Sequence, residues 1–410
     1  MTRPVRTLLF STLYPSSVRP GHGIFVETRL RELLKTGKVE TRVVAPVPWF
    51  YSTDPRHGER ARMAATPARE MRLGIDVLHP RYPVIPKVGM SLAPMLLALA
   101  SVGPLRRVIA EGFDFDVIDA HYFYPDGVAA ALLARWLGKP LVITARGSDV
   151  NLIASHALPR RLMQWAAGQA DAVLGVSQAL VEAMAALGLD CSKLQVVRNG
   201  VDLERFQPLP RDAMRAELGI SGAPVLLSVG NLVSNKGHDL VIDAVARLRV
   251  KHPGITLLIA GVGPERAALE RQAQTLRLGA QVRFAGAVPN VELGRWYAAA
   301  DVMVLASSRE GWPNVLLESL ASGTPVVATR VGGVPEILAG CRSSRLVDER
   351  TADAIAQAVQ SVLTNPPERS ALRTHAEGFG WAPTSAAQMT LFQRLAGHHA
   401  AGHPIRLHHG

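Results

Sequence analysis

Cysteine is nearly missing from this 410-residue chain: Cys191 and Cys341 are the only two, and they fall in different halves. A disulfide framework is therefore not expected, and a reducing, cytoplasmic compartment fits. Dense runs of one charge are missing too. The 45 Lys and Arg residues are scattered over the whole length. No helix-turn-helix, zinc-finger or RNA-binding aromatic motif accompanies them, so nucleic acid is not an expected partner. The short apolar run in "MTRPVRTLLFSTLYPSS" ends at Pro15 and no small-x-small cleavage site follows; it reads as a first strand and not as a signal peptide. No His, Cys or Asp cluster has metal-ligand spacing, so no metal is expected. G-x-S-x-G is absent, which disfavours an α/β-hydrolase, and the GxxxxGK[ST] order of a P-loop is absent. In "AGVGPERAALE" the glycines Gly261 and Gly263 begin like a dinucleotide fingerprint, but Arg266 stands where its third glycine would be, so NAD is disfavoured.

What is present is an apolar chain with a basic balance. Apolar residues make up 48% and charged residues 19%, a globular composition. The length suits two domains of about 200 residues each. The net charge of +11, 45 basic minus 34 acidic residues, favours nucleotides, diphosphates or acidic lipid headgroups as partners. Strand-like runs alternate with helical patterns: "VRTLLFSTL", "VETRVVAPV", "FDVIDAHYF", "PLVITARG" and "DAVLGVS" in the first half, "PVLLSVGNL", "ITLLIAGVG", "VRFAGAV", "DVMVLASS" and "TPVVATR" in the second. Continuous apolar strands separated by helices predict parallel sheets covered on both faces. Each half therefore reads as a doubly wound, Rossmann-like domain: 1–200, then 201–377, with a terminal helix over 378–396 packing back toward the first and a disordered tail over 397–410. The segment 88–105, "VGMSLAPMLLALASVGPL", carries no charge. Gly89, Pro94, Gly103 and Pro104 interrupt it, so it reads as a short helix at a cleft. Docking onto a bilayer is the sharper alternative, helped by Lys87, Arg106 and Arg107 at its ends.

Ligands of open α/β sheets bind beyond the carboxyl ends of the strands, and the polar motifs fall there. "GNLVSNKGH" (230–238) is a strand-to-helix turn ending in Lys236, able to offer N–H groups and an ammonium to a diphosphate. "REGWPNVLLESLASGTPVVATRVGGVPE" (309–336) places Glu310 in the loop after a strand, starts a helix at Pro313 or Asn314, and sets Glu318 in that helix. The pair reads either as a general acid and base or as acceptors for sugar hydroxyls; Gly332-Gly333 and Glu336 downstream argue against a plain capping role. In the first half, "RPGHGIFV" (19–26) is a glycine-rich loop, "DAHYFYPDG" puts His121 at a strand end, and "TARGSDVN" puts Arg146 and Asp149 at the next.

These motifs resemble the retaining glycosyltransferases of the GT-B fold, in the large family 4. The E-G-x-P-x-x-x-x-E signature from Glu310 to Glu318, "SGTPVVATRVGGVPE", "RNGVDLERFQP", "DAVLGVSQALVEAM" and "GVGPERAALE" carry the resemblance over nearly the whole chain. "STLYPSSVRPGHGIFVETRLREL" and "VGNLVSNKGH" look like the branch of teichuronic-acid and exopolysaccharide transferases. The resemblance implies an α/β GT-B architecture with two Rossmann-like domains facing a central cleft. It implies a metal-independent hexosyltransferase with no cofactor, whose substrate is a nucleotide-diphosphate sugar, UDP- or GDP-linked. The sugar would pass with retention to a carbohydrate or polyprenyl-linked acceptor in cell-surface polysaccharide assembly, in the cytoplasm or at the inner face of the membrane. Catalysis would involve His121, Glu310 and Lys236. The donor would contact Gly23, Asn231, Lys236, Gly263, Val288, Glu310, Gly311, Trp312, Pro313, Asn314, Val315 and Glu318, with Glu318 on the ribose. His121, Arg146 and Asp149 would stand on the acceptor side. Two positions depart from the pattern: Asn231 stands where many members carry an Arg, for which Arg198 could substitute, and Arg146 stands where His is common. A nucleotide-sugar epimerase and a binding protein without turnover are the alternatives.

Overall fold

The structure is a computed structural model and describes residues 3–85 and 89–400. Two compact units divide the chain, one formed by residues up to Arg198 together with those from Ala382 on, the other by Asn199–Trp381.

The first unit holds an eight-stranded sheet made of β1 (Val5–Phe10), β2 (Val39–Val44), β3 (Arg69–Arg72), β4 (Ile75–Leu78), β5 (Val117–His121), β6 (Leu141–Ala145), β7 (Ala172–Gly175) and β8 (Leu194–Val196), in the order β8-β7-β6-β5-β1-β2-β4-β3. Only the β3–β4 pair is antiparallel. Strands β5 and β6 are buried at every position, which is why they read as unbroken apolar runs without alternation. Helix α1 (Ile24–Leu34) follows β1, and Val26 and Leu30 of α1 pack with Leu9, Val43 and Val77. The C-terminal helix Trp381–Ala400 sends Met389, Phe392 and Leu395 into a cluster with Val5, Val117 and Val142. That helix runs on to Ala400, four residues into the segment read as tail; residues 401–410 lie outside the described residues.

Glycines and prolines do not interrupt the uncharged segment as the sequence led us to expect. Residues Gly89–Ala110 form one helix, α2, with Pro94 and Pro104 inside it. Pro94 has no N–H for the carbonyl of Met90, four residues back, a loss that ordinarily breaks a helix. The hydroxyl of Tyr124 donates to that carbonyl instead. Lys87 lies outside the described residues. The sequence also gave no sign of β3, β4 or β8. Arg69–Arg72 is charged and half-exposed, and its hairpin turns through Leu73 and Gly74, both at positive φ; a leucine is a poor signal for such a turn.

The second unit holds β9 (Val225–Val229), β10 (Thr256–Ala260), β11 (Val282–Gly286), β12 (Val302–Leu305), β13 (Val326–Thr329) and β14 (Arg345–Val347), all parallel, in the order β11-β10-β9-β12-β13-β14. Counted from the first of them this is 3-2-1-4-5-6, the Rossmann order. Helix α3 (His238–Leu248) follows β9 and contributes Val241, Ile242 and Val245 to a core with Leu226, Leu257, Ile259, Val304 and Val359. Helices α4 (Leu293–Ala299) and α5 (Asn314–Ala321) flank β12 in sequence.

Strand order fixes where a ligand can sit. In the second unit the winding reverses between β9 and β12, so the loops after these two strands diverge and leave a crevice at their carboxyl ends. In the first unit the reversal falls between β1 and β5. The loops at these positions are 230–237 and 306–313 in one unit, and 11–23 and 122–127 in the other.

Candidate active site

In the second unit the switch point brings Lys236 to Glu310. Lys236 lies in the short turn Ser234–Lys236 after β9, and its Nζ donates to Glu310 Oε1 at 2.5 Å. Ser307 Oγ donates to the same oxygen at 2.7 Å. The turn is held by His238, whose Nδ1 meets Ser228 Oγ at 2.9 Å and whose Nε2 meets the Asn231 carbonyl at 3.3 Å. Burial lowers the His238 pKa, so the ring is neutral, accepts at Nδ1 and donates at Nε2. Asn231 is exposed on this turn. Gly263 packs against the backbone of Leu232, and Leu232 N–H donates to Val262 O at 2.9 Å, tying the loops after β9 and β10 together.

Glu310 is held from behind by the second glycine pair. Gly332 has φ +50, and a Cβ there would stand 1.9 Å from the Glu310 carbonyl oxygen. Only glycine permits that approach in that conformation. Gly333 N–H donates to Gly311 O at 3.2 Å. Gly311 and Trp312 are buried, and Trp312 Nε1 donates to Asn199 O at 3.0 Å. Pro313 caps α5 in an extended conformation, and Asn314 Oδ1 accepts from Asn199 Nδ2 at 3.3 Å. The helix thus begins at Asn314, with half-buried Val315 in its first turn.

Glu318 does not pair along its own helix. Tyr297 of α4 donates its hydroxyl to Glu318 Oε2 at 2.8 Å. The carboxyl lies deep among protein atoms although part of the residue reaches solvent, and burial pushes its pKa up to about 7 against the pull of Tyr297, Asn290 and Arg205. Asn290 ends the segment "GAVPN", so the loop that carries half-buried Val288 meets Glu318 through it. Tyr297 gave no sequence signal, being a single tyrosine in a mostly apolar helix, whereas Ser307 stands just past the end of a strand, where polar residues mark the ligand side.

In the first unit, His121, Arg146 and Asp149 do come together, but as a buried framework. Burial lowers the His121 pKa to about 4 despite Asp119. The neutral ring donates Nε2–H to Asp119 Oδ2 at 3.0 Å and accepts from Arg146 at Nδ1. Asp119 precedes His121 by two on β5, so both project from one face of the sheet, a spacing visible in "DAH". Asp149 accepts from the N–H groups of Phe123 (2.7 Å), Gly147 (2.7 Å), Arg146 (3.1 Å) and Val150 (3.1 Å). Its work is to fix the loop after β6. Asp126 takes the Thr12 N–H at 2.6 Å and the Thr12 hydroxyl at 2.9 Å, and burial pushes its carboxyl up to about 7. Gly23 starts α1 at φ +65, and a Cβ there would meet the Leu13 carbonyl at 2.3 Å. Its glycine is required by the Leu13 backbone. Arg198 ends the first of this unit's two chain segments. Among the described residues no group of three or more His, Cys, Asp or Glu could hold a metal ion.

A Rossmann-ordered sheet with a lysine, two glutamates and a helix start gathered at its switch point, following a second doubly wound unit, defines a nucleotide-using α/β enzyme of the GT-B class. The chain belongs to the group 1, family 4 glycosyltransferases: residues 210–379 match the family described as glycosyl transferases group 1, and residues 21–205 match glycosyltransferase family 4. It is 32% identical over 362 residues to TuaC of Bacillus subtilis (strain 168), named for teichuronic acid biosynthesis, covering 87% of this chain and 88% of that one. It is 30% identical over 412 residues to D-inositol 3-phosphate glycosyltransferase 1 of Catenulispora acidiphila, covering 92% and 93%. Among solved structures, sucrose-phosphate synthase from Thermosynechococcus elongatus superposes with a TM-score of 0.76 at 21% identity over 98% of this chain and 100% of that one. Anabaena HepE in complex with UDP-glucose gives 0.68 at 18% identity over 97% and 99%. These likenesses establish the GT-B fold.

Proposed function

We propose that this chain transfers a hexose from a UDP- or GDP-linked donor to a carbohydrate or polyprenyl-linked acceptor, with retention, in cell-surface polysaccharide assembly on the cytoplasmic side of the membrane. The observation that carries this reading is the contact of Lys236, Ser307 and Glu310 at the second unit's switch point, followed by α5 and Glu318. The ammonium of Lys236 and the N–H groups opening α5 receive the donor's diphosphate. Glu318 accepts from the ribose hydroxyls, and Glu310 with the 311–314 backbone holds the sugar. As the C1–O bond to the diphosphate breaks, the acceptor oxygen bonds C1 on the same face. Its proton passes to the departing phosphate oxygen, whose charge Lys236 stabilises. Glu310 Oε1 already accepts from an ammonium and a hydroxyl, which lowers its nucleophilicity and favours this course over a covalent glycosyl-enzyme. The neutral, doubly bonded His121 acts here by holding Arg146. The relationship to TuaC and the UDP-glucose bound by the HepE fold neighbour support UDP as the donor base and a cell-surface polymer as the product.

Thermal unfolding with UDP, GDP, ADP and CMP tests the donor site. UDP or GDP at 100 times its dissociation constant adds about 2.7 kcal/mol, and Glu318→Ala loses most of that gain. If no nucleoside diphosphate raises the melting temperature, the donor site is misplaced.

The acceptor's lipid fits a surface of α2. Leu92, Met95 and Leu99 are exposed at 43%, 44% and 56%, and Arg106 is exposed on the same stripe at helical spacing. Leu97, Leu105 and Val108 anchor the opposite face in the core. An apolar stripe ending in Arg106 and Arg107 suits the interface of an anionic bilayer. The protein is expected to float with anionic vesicles at low salt, and Leu92→Ser with Leu99→Ser to stay behind. Absence of the wild-type protein from the floated fraction sinks the membrane contact.

A further inference from the structure

The carboxyl of Glu318 is served by a chain of partners that reaches across three segments of the second unit. Arg205 Nη1 donates to Asn290 Oδ1 at 2.7 Å, which leaves the Asn290 amide nitrogen to bond Glu318. Tyr297 donates to Glu318 Oε2 at 2.8 Å from the other side. Tyr297 is fully buried, its ring set edge-on to Phe206 at 5.9 Å, and Thr324 Oγ1 holds its backbone carbonyl at 2.6 Å. Burial raises the Tyr297 pKa well above that of a free phenol, so the phenol keeps its proton and acts only as a donor toward the carboxylate.

We propose that Tyr297 and the Arg205–Asn290 pair are positioning residues for the donor site: they fix the orientation of the Glu318 carboxylate and favour its ionised form, the form on which nucleotide binding depends. This rests on the assignment of Glu318 to the ribose.

Tyr297 and Asn290 already donate to Glu318, so two ribose hydroxyls can donate as well only when the carboxyl carries no proton and offers its full set of about four lone pairs. A protonated carboxyl spends one oxygen as a donor and leaves a ribose hydroxyl unmatched, at a cost. Each hydrogen bond given to the ionised form lowers the pKa, while burial raises it. With burial pushing Glu318 to about 7, donor affinity is full above that pH and falls as pH drops through it. Among the described residues Arg205 is the charge that acts on the carboxyl, and it favours the ionised form. Arg295, the remaining charged residue of α4, reaches outward to Glu217 at 3.8 Å. On the helix Arg369–Glu377, which packs on α5, Arg369 and Arg373 bond the carbonyls of Ser322 and Ala321 at the far end of α5, and Glu377 pairs with Arg373. His375 bonds the Ile337 carbonyl. Strands β12 and β13, also against α5, carry no titratable side chain.

Two readouts test this. The first is the titration of the Glu318 carboxyl in the ligand-free protein, by carbon-13 NMR of labelled glutamate, with Glu318→Gln identifying the signal. The second is UDP and GDP affinity from pH 5.5 to 9. Tyr297→Phe, which removes one oxygen and keeps the ring, is expected to raise both midpoints together by about one pH unit. Binding is then roughly tenfold weaker at pH 6.5 and returns to the wild-type level at pH 9. Asn290→Ala moves them in the same direction, and Glu318→Gln abolishes the pH dependence. A Tyr297→Phe protein whose carboxyl titrates where the wild type does, or whose affinity drops equally at every pH, overturns the proposal. If the wild type binds neither nucleotide, the donor assignment fails on its own, and the carboxyl titration still decides whether Tyr297 holds Glu318.

Discussion

Lys236→Ala is expected to lower sugar transfer by about 100- to 1,000-fold, the usual cost of removing one group that stabilises charge developing in a transition state. The substitution also breaks a largely enclosed pair, since the Lys236 and Glu310 side chains are 23% and 10% exposed. Glu310 is then left with its acid charge and without the ammonium, at a cost of about 1–3 kcal/mol. The melting temperature should fall with it, by about 2–4 °C per kcal/mol for a unit of this size. Two further variants separate the effects. Lys236→Arg keeps the charge and recovers part of the rate. Lys236→Ala combined with Glu310→Gln removes the stranded charge and recovers stability but not transfer. Steady-state transfer from UDP- and GDP-hexoses and thermal unfolding are the measurements. A single Lys236→Ala variant that transfers sugar at the wild-type rate contradicts the site.

Gly332→Ala should be nearly as damaging although residue 332 offers no chemistry. Its methyl group would lie 1.9 Å from the Glu310 carbonyl oxygen and 2.8 Å from the carbonyl carbon. Both are backbone atoms, so no side-chain rotation relieves the clash. Placing alanine at φ +50 costs about 1 kcal/mol by itself, and displacing the Glu310 turn adds more. The expected result is a loss of nucleotide-induced stabilisation together with a fall in stability of about 1–3 kcal/mol. Gly340→Ala is the control. Gly340 also sits at positive φ, +78, but nothing lies within 4 Å of its Cβ position. It should lose some stability and keep nucleotide binding. Equal retention of binding in both variants would show that the glycine turn does not support Glu310.

The site was legible in the sequence wherever its signal was local. Glu310 and Glu318 announce themselves by their spacing around Gly311-Trp312-Pro313-Asn314, and Lys236 by its place after an apolar strand. Asp149 shows the opposite case. Its position at a strand end suggested acceptor contact, whereas its oxygens are taken by four backbone N–H groups. Nothing in "TARGSDVN" distinguishes a carboxylate that meets solvent from one that pins a loop, because the difference lies in how the chain folds back over it. His121 is similar: the strand end is visible, but the lock between Asp119 and Arg146 depends on Arg146, 25 positions away.

By itself the sequence determined the ten principal strands, the doubly wound character of both halves and the family. These follow from apolar runs, glycine placement and short motifs, which report on a residue and its near neighbours in the chain. Tertiary structure decided the order of the strands, the short strands β3, β4, β8 and β14, the single helix through Pro94, and the partners of each site residue. Lys236 meets Glu310 across 74 positions and Tyr297 meets Glu318 across 21. Such contacts are set by which strands lie side by side, and strand pairing is a property of the whole sheet that no local pattern encodes.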